Sequence, residues 1–451
     1  VLGSYGNDVI SVSDLYTGGQ LDLGAGNDSV TFGNFANTAT LVNVETITGG
    51  SQSDTVVLTG SVDSSFVDLG SGSDSLDFSA NGATLTISRI ETVIGSDGDD
   101  NVTISAALAG SSINLGGGSD VVSWSSAGVT ATMANVEQIL GGSLTDVITL
   151  ASLFSDGYID LGGGSDKLVL GDFANAGTIV AAETIIGGAQ DDSVTLGGDA
   201  TVTGVIQLGS GTDSLQLSNY GSQVTVSGIE TVLGGADSDK VTWSAAAYGV
   251  YVDLGDGADK VTLSNFTNFL TLAHTETVIG GSGSDTVVVD YEVTDGLISL
   301  GTGQDSVIFQ SAAVVTVSGV ETVTGSSSDD MITYSGSIGN ATLDLGTGDD
   351  TVIFGSAATI TIANTENITG SGSTDVITLS GNKNTKVDLG SGSDTLYFAN
   401  GIDRVTGGSG ADNFVFTATA QSSTGSPDII TDFTIGTDML SFQGLLSGDF
   451  N

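Results

Sequence analysis

The chain has 451 residues, 54 acidic against 7 basic, a formal net charge of −47, 68 glycines, one proline and no cysteine. Such acidity excludes nucleic acid and anionic lipid surfaces as partners, since both need Lys and Arg, and favours multivalent cations. With no cysteine there is no disulfide framework or thiol chemistry, and no run of 18 apolar residues could span a membrane.

The chain opens inside a repeat, at Val1-Leu2-Gly3, so further sequence upstream is expected. Two glycine-rich turns then alternate to the far end, each series recurring about every 46 residues. One reads Leu-Gly-x-Gly-x-Asp. Its candidate metal ligands are Gly24, Gly26 and Asp28; Gly70, Gly72 and Asp74; Gly116, Gly118 and Asp120; Gly162, Gly164 and Asp166; and Gly209, Gly211 and Asp213. They continue as Gly255, Gly257 and Asp259; Gly301, Gly303 and Asp305; Gly346, Gly348 and Asp350; and Gly390, Gly392 and Asp394. The other series opens Gly-Gly or Gly-Ser and ends in Asp8, Asp54, Asp100, Asp146, Asp192, Asp239, Asp285, Asp330, Asp375 and Asp412. It often lacks the fourth-position glycine, with Gln52, Leu144, Gln190, Asp237, Ser328 and Ser373 there instead.

After each Leu-Gly turn, the second and fourth residues beyond the Asp are apolar, from Val30/Phe32 and Leu76/Phe78 through Val122/Trp124 to Leu396/Phe398. Period two means strand, and recurrence at one phase stacks the apolar face repeat upon repeat. Helical periodicity is missing throughout. The expected fold is all-β, a right-handed parallel β-solenoid over residues 1–417, with residues 418–451 as a C-terminal cap. A 46-residue ring would have a perimeter of about 150 Å, too wide to fill, which argues for about two coils per 46-residue repeat. On that reading both Asp series share one edge, and any ion column is one-sided.

Carbonyls and carboxylates are hard oxygen ligands, and they favour Ca²⁺. Carboxylates about 4.8 Å apart repel by roughly 1 kcal/mol per pair even in water, so multiple calcium ions are the expected cofactor. Asp and Gly also make good turns without any ion. A second acidic register, Glu45, Glu91, Glu137, Glu183, Glu230, Glu276, Glu321 and Glu366, falls at a corner and reads first as a solvated or backbone-bonding carboxylate. His274, the sole histidine, reads as a surface residue, so no Ser–His or Cys–His catalysis is expected. Thr-x-Thr pairs such as Thr38/Thr40 and Thr84/Thr86 skip too many repeats for an ice-binding ladder.

The stretches Gly280–Val288 and Gly407–Val415 carry the full Gly-Gly-x-Gly-x-Asp-x-apolar-x pattern. Through them the chain resembles the RTX-type calcium-binding β-roll, exported from Gram-negative bacteria by type I systems. The stretch Pro427-Asp428-Ile429-Ile430-Thr431-Asp432-Phe433 is similar to the C-terminal region of such proteins, and Gly319-Val320-Glu321-Thr322-Val323 to S-layer members. The resemblance implies an RTX-like β-roll followed by a type I secretion signal, located extracellularly at the cell surface. Because the chain is nearly all repeat and shows no catalytic constellation, the expectation is a structural, calcium-dependent protein that self-associates into a lattice or filament and is not an enzyme. Cell-surface polysaccharide is a further partner class. An adhesin stalk or the C-terminal module of a secreted hydrolase are the alternatives.

Overall fold

The structure, a computed structural model, describes residues 1–60, 62–198 and 202–445. Among these residues the regular elements are 48 short strands, paired in parallel, and no helix is long and apolar enough to cross a membrane. The chain divides into two compact units, Val1–Thr231 and Val232–Asn451. In each, successive strands alternate between two facing sheets. In the first unit one sheet starts at Leu2–Ser4 and the other at Val9–Val12. In the second they start at Lys240–Trp243 and Tyr248–Gly255. They are called below the Leu2, Val9, Lys240 and Tyr248 sheets.

Strand phase follows the apolar pattern. Val30, Phe32, Leu76, Phe78, Val122, Trp124, Leu396 and Phe398 are all at most 3% exposed. Their polar neighbours Thr31, Asp77 and Ser123 point outward. Aliphatic or aromatic side chains at the inward positions fill the space between the sheets.

The number of coils corrects the expectation. Val9 stands opposite Ser29, Ser29 opposite Thr46, Thr46 opposite Phe66, Phe66 opposite Thr86 and Thr84 opposite Asn101, steps of 20, 17, 20, 20 and 17 residues. Each repeat of about 46 residues therefore carries five strands, or two and a half coils, not two. A perimeter limits only the cross-section, and coils of this length still close two sheets about 10 Å apart. A half-integral count is allowed because either edge accepts the same turn.

The one-sided column is corrected with it. The turns ending in Asp8 and Asp28 lead into the Val9 sheet, those ending in Asp54 and Asp74 into the Leu2 sheet, and those ending in Asp100 and Asp120 into the Val9 sheet again. Turns thus occur in stacked pairs on alternate edges. Nor does strand pairing stop at 417: Ile429–Ile430 pairs with Arg404–Val405, and Met439–Phe442 with Asn413–Phe416. The segment between them is an insertion, and the end of the expected cap, 446–451, lies outside the described residues.

Candidate metal centres

Each edge is built on a ladder of backbone N–H groups donating to carboxylates one coil away. The Asp54 N–H donates to Asp74 Oδ1 at 2.7 Å, and the Asp74 N–H to Glu91 Oε2 at 2.7 Å. The Asp100–Asp120–Glu137 set repeats this on the other edge at 2.8 Å in both steps. In the second unit Asp239–Asp259–Glu276 does so at 2.6 and 2.7 Å, and Asp330–Asp350–Glu366 at 2.8 and 3.0 Å. Below each triplet stands a residue whose N–H reaches the first Asp: Asn37 to Asp54, Ala83 to Asp100, Val129 to Asp146 and Asn268 to Asp285. The corner Glu is therefore a backbone acceptor and the third rung of the same ladder. His274 stands exposed beside Asp253, Nδ1 to Oδ1 at 2.7 Å, away from this ladder.

The two turn series differ in what the other Asp oxygen does. Oδ2 is buried with no hydrogen-bond partner in Asp28, Asp74, Asp120, Asp166, Asp213, Asp259, Asp305, Asp350 and Asp394, the whole Leu-Gly series. These residues are at most 1% exposed. The same holds for Asp285 and Asp412, whose turns alone in the other series have glycine at both second and fourth positions. Where either glycine is replaced, Oδ2 is occupied within the protein. The Gly50 N–H donates to Asp54 Oδ2 at 3.1 Å, Ser96 to Asp100 at 2.9 Å, Ser326 to Asp330 at 2.8 Å and Ser371 to Asp375 at 2.8 Å. Ser4 does so for Asp8, Gly188 for Asp192 and Gly235 for Asp239, and Trp124 Nε1 donates to Asp146 Oδ2 at 2.9 Å.

Backbone conformation explains this split in ten of the eleven open turns, the Asp285 turn being the exception. Gly70 and Gly72 have φ of +91° and +153°. A Cβ on Gly70 would lie 2.1 Å from the Gly50 carbonyl oxygen of the turn stacked against it. Only glycine tolerates both the conformation and that approach. In that conformation the turn leaves its own Asp oxygen open. The Asp285 turn keeps its glycines without the positive φ, and its Asn268 neighbour donates two bonds to Oδ1, at 3.1 and 2.8 Å.

A buried carboxylate oxygen without a donor carries a large desolvation cost. Burial pushes Asp74, Asp120, Asp166, Asp213, Asp305, Asp350 and Asp394 up to about 6, and Asp259 up to about 7, with neighbouring Asp and Glu charges adding to the effect. A cation in the turn would remove that penalty. Among the described residues no three His, Cys, Asp or Glu side chains gather into a metal-holding group. The donor these turns offer is accordingly one open carboxylate oxygen each, a hard ligand of the kind Ca²⁺ takes. The turn glycines and the Asp of the Leu-Gly series would hold it.

Sequence reasoning missed further members. Asp403 and Asp428 also have buried, unpartnered Oδ2 atoms, and burial pushes Asp403 up to about 6. The signal for Asp403 was a shortened period: Asp394, Asp403 and Asp412 are nine residues apart and lead into opposite sheets in turn. Asp432 was missed too: its carboxylate accepts the N–H groups of Gly407 and Gly408, both at 2.8 Å, across a long insertion.

A family model described as Peptidase M10 serralysin C terminal matches residues 320–449. Among solved structures the chain is similar to a hyperactive, Ca²⁺-dependent, beta-helical antifreeze protein from an Antarctic bacterium. The two are 19% identical over 72% of this chain and 82% of that one, with a TM-score of 0.14. A search of curated proteins finds no match. The family match, the paired sheets and the glycine turns support an RTX-like β-roll.

Proposed function

We propose that this chain is a calcium-binding β-roll of a secreted protein, which calcium folds outside the cell and which then assembles with copies of itself into a surface layer or filament. One observation carries the calcium reading. An open, buried Asp oxygen occurs in all eleven turns with glycine at both the second and fourth positions, and in none of the eight turns of the two series that lack one. Turn geometry accounts for how the oxygen is left open, but not for why a buried, unpartnered carboxylate oxygen is kept in every such turn, and a bound cation supplies that reason. The serralysin C-terminal match over 320–449 supports an extracellular setting. A structural role is supported by the repeat filling nearly the whole chain, without a nucleophile–base pair or a histidine site among the sequence motifs. The chain's own part in the chemistry is to bind and orient: the ladder N–H groups hold Oδ1, which fixes where Oδ2 points.

The test is electron microscopy of the chain with excess calcium and with excess chelator. Ordered sheets or filaments that need calcium are the expected result. A second reading, a calcium-binding module at the C-terminal side of a secreted hydrolase, is favoured by the family match. It predicts persistent monomers that still fold with calcium.

A further inference from the structure

In the second unit the two sheet faces carry different charge. The outer face of the Lys240 sheet bears Lys240, Lys260, Lys386 and Arg404. The strands of the Tyr248 sheet bear no Lys or Arg and carry Asp253 and Asp344, whereas the Lys240 sheet sets Asp295 and Asp388 beside its four cations. The cations come as in-register neighbours: Lys240 stands opposite Lys260, and Lys386 opposite Arg404. Like charges directly across adjacent strands destabilise a sheet, and a chain of charge −47 needs no lysine for solubility.

None of these four cations makes an ion pair within the described residues, whereas the two off the sheets do, Arg89 with Asp68 and Lys383 with Glu366. The repeat itself leans the same way, with Asp at one position in every copy on the Tyr248 and Val9 sheets and in two of five on the others. At the residue before each Leu-Gly turn's Leu, the Tyr248 sheet has Asp253 and Asp344, while the Lys240 sheet has Ser299 and Asp388. In the first unit that position is Asp68 and Asp160 on the Val9 sheet. On the Leu2 sheet it is Asp22, Asn114 and Gln207.

We propose that the Lys240-sheet face of the second unit is a docking surface for a second copy of this chain, received on its carboxylate-bearing Tyr248-sheet face. The proposal rests on the self-assembly reading and names its interface. Charge complementarity carries it: unpaired cations meet the one macromolecule certain to be present at high local density, whose opposite face is acidic. A contact between two different faces is heterologous and does not close, so it propagates into a layer or filament.

The experiment uses the full chain with excess calcium, followed by sedimentation velocity and electron microscopy. The comparison is with one variant carrying Lys240→Glu, Lys260→Glu, Lys386→Glu and Arg404→Glu, and with a reciprocal variant carrying Asp253→Lys and Asp344→Lys. Far-UV circular dichroism confirms that each folds. Each variant alone should associate roughly tenfold more weakly than wild type, added salt should weaken wild type in the same direction, and mixing the two should restore association. A cation-reversed variant that assembles like wild type overturns this interface and leaves self-assembly standing. Wild type that stays monomeric overturns both. Monomeric wild type retained on alginate through these four cations overturns the proposal in favour of an anionic polysaccharide.

Discussion

At the scale of single residues, the two turn series differ in one oxygen: an Asp either closes its own turn with Oδ2 or leaves that atom buried and unpartnered. Asp120 and Asp100 are stacked neighbours in the same ladder, yet only Asp120 has its Oδ2 unpartnered. Asp120→Asn should therefore remove about one calcium ion per chain in equilibrium dialysis, and Asp100→Asn should leave the stoichiometry unchanged while costing about 1–2 kcal/mol of stability. The raised carboxylates add a pH prediction. Their folded-state pKa of about 6 lies above the unfolded value, so without calcium they contribute stability that is fully present below about 4 and is lost as pH rises through about 6. In excess chelator the β-structure seen by far-UV circular dichroism should be greater at pH 5 than at pH 7.5, and saturating calcium should reverse that order. The open oxygen left a trace in the sequence, since glycine at both the second and fourth positions marks it. The Glu rung left none beyond its recurrence, because its role depends on which coil stacks on which.

At the scale of elements, strand phase was legible because period two is a local property. Every apolar position assigned to the core after a Leu-Gly turn is buried, Phe78 and Leu396 with no measurable exposure. Leu76→Ala should cost about 2–5 kcal/mol, read from chemical denaturation with calcium present. The coil count was not legible by the same route, because a perimeter does not fix whether a repeat returns to the edge where it started. Asp54 and Asp100 occupy one repeat position on opposite edges, and only the strand pairing distinguishes them. The nine-residue step from Asp394 through Asp403 to Asp412 was the clue to two-edged coils, but it is confined to the last repeats. The ladder also predicts a graded response at its third rung. Glu137 Oε2 accepts the Asp120 N–H, so Glu137→Gln, which keeps an acceptor, should be milder than Glu137→Ala by about 1 kcal/mol in the same denaturation assay.

For the whole molecule, 54 acidic residues against 7 basic ones set the folding problem. Buried Asp columns on both edges of each unit raise the free energy of the calcium-free state at neutral pH, and on the proposed function multivalent cations would relieve it. Binding free energy in such a system is folding free energy, so chain order and calcium should rise together. Solenoid coils contact mainly their neighbours, so each bound ion stabilises adjacent coils and the transition propagates along a unit. The most direct measurement is far-UV circular dichroism of the full chain at pH 7.5, first in excess chelator and then through a calcium titration. The predicted result is a largely disordered chain in chelator that converts cooperatively to β-structure as calcium is added, with magnesium a poor substitute. A chain already fully β-structured in excess chelator, and unchanged by calcium, would contradict the account.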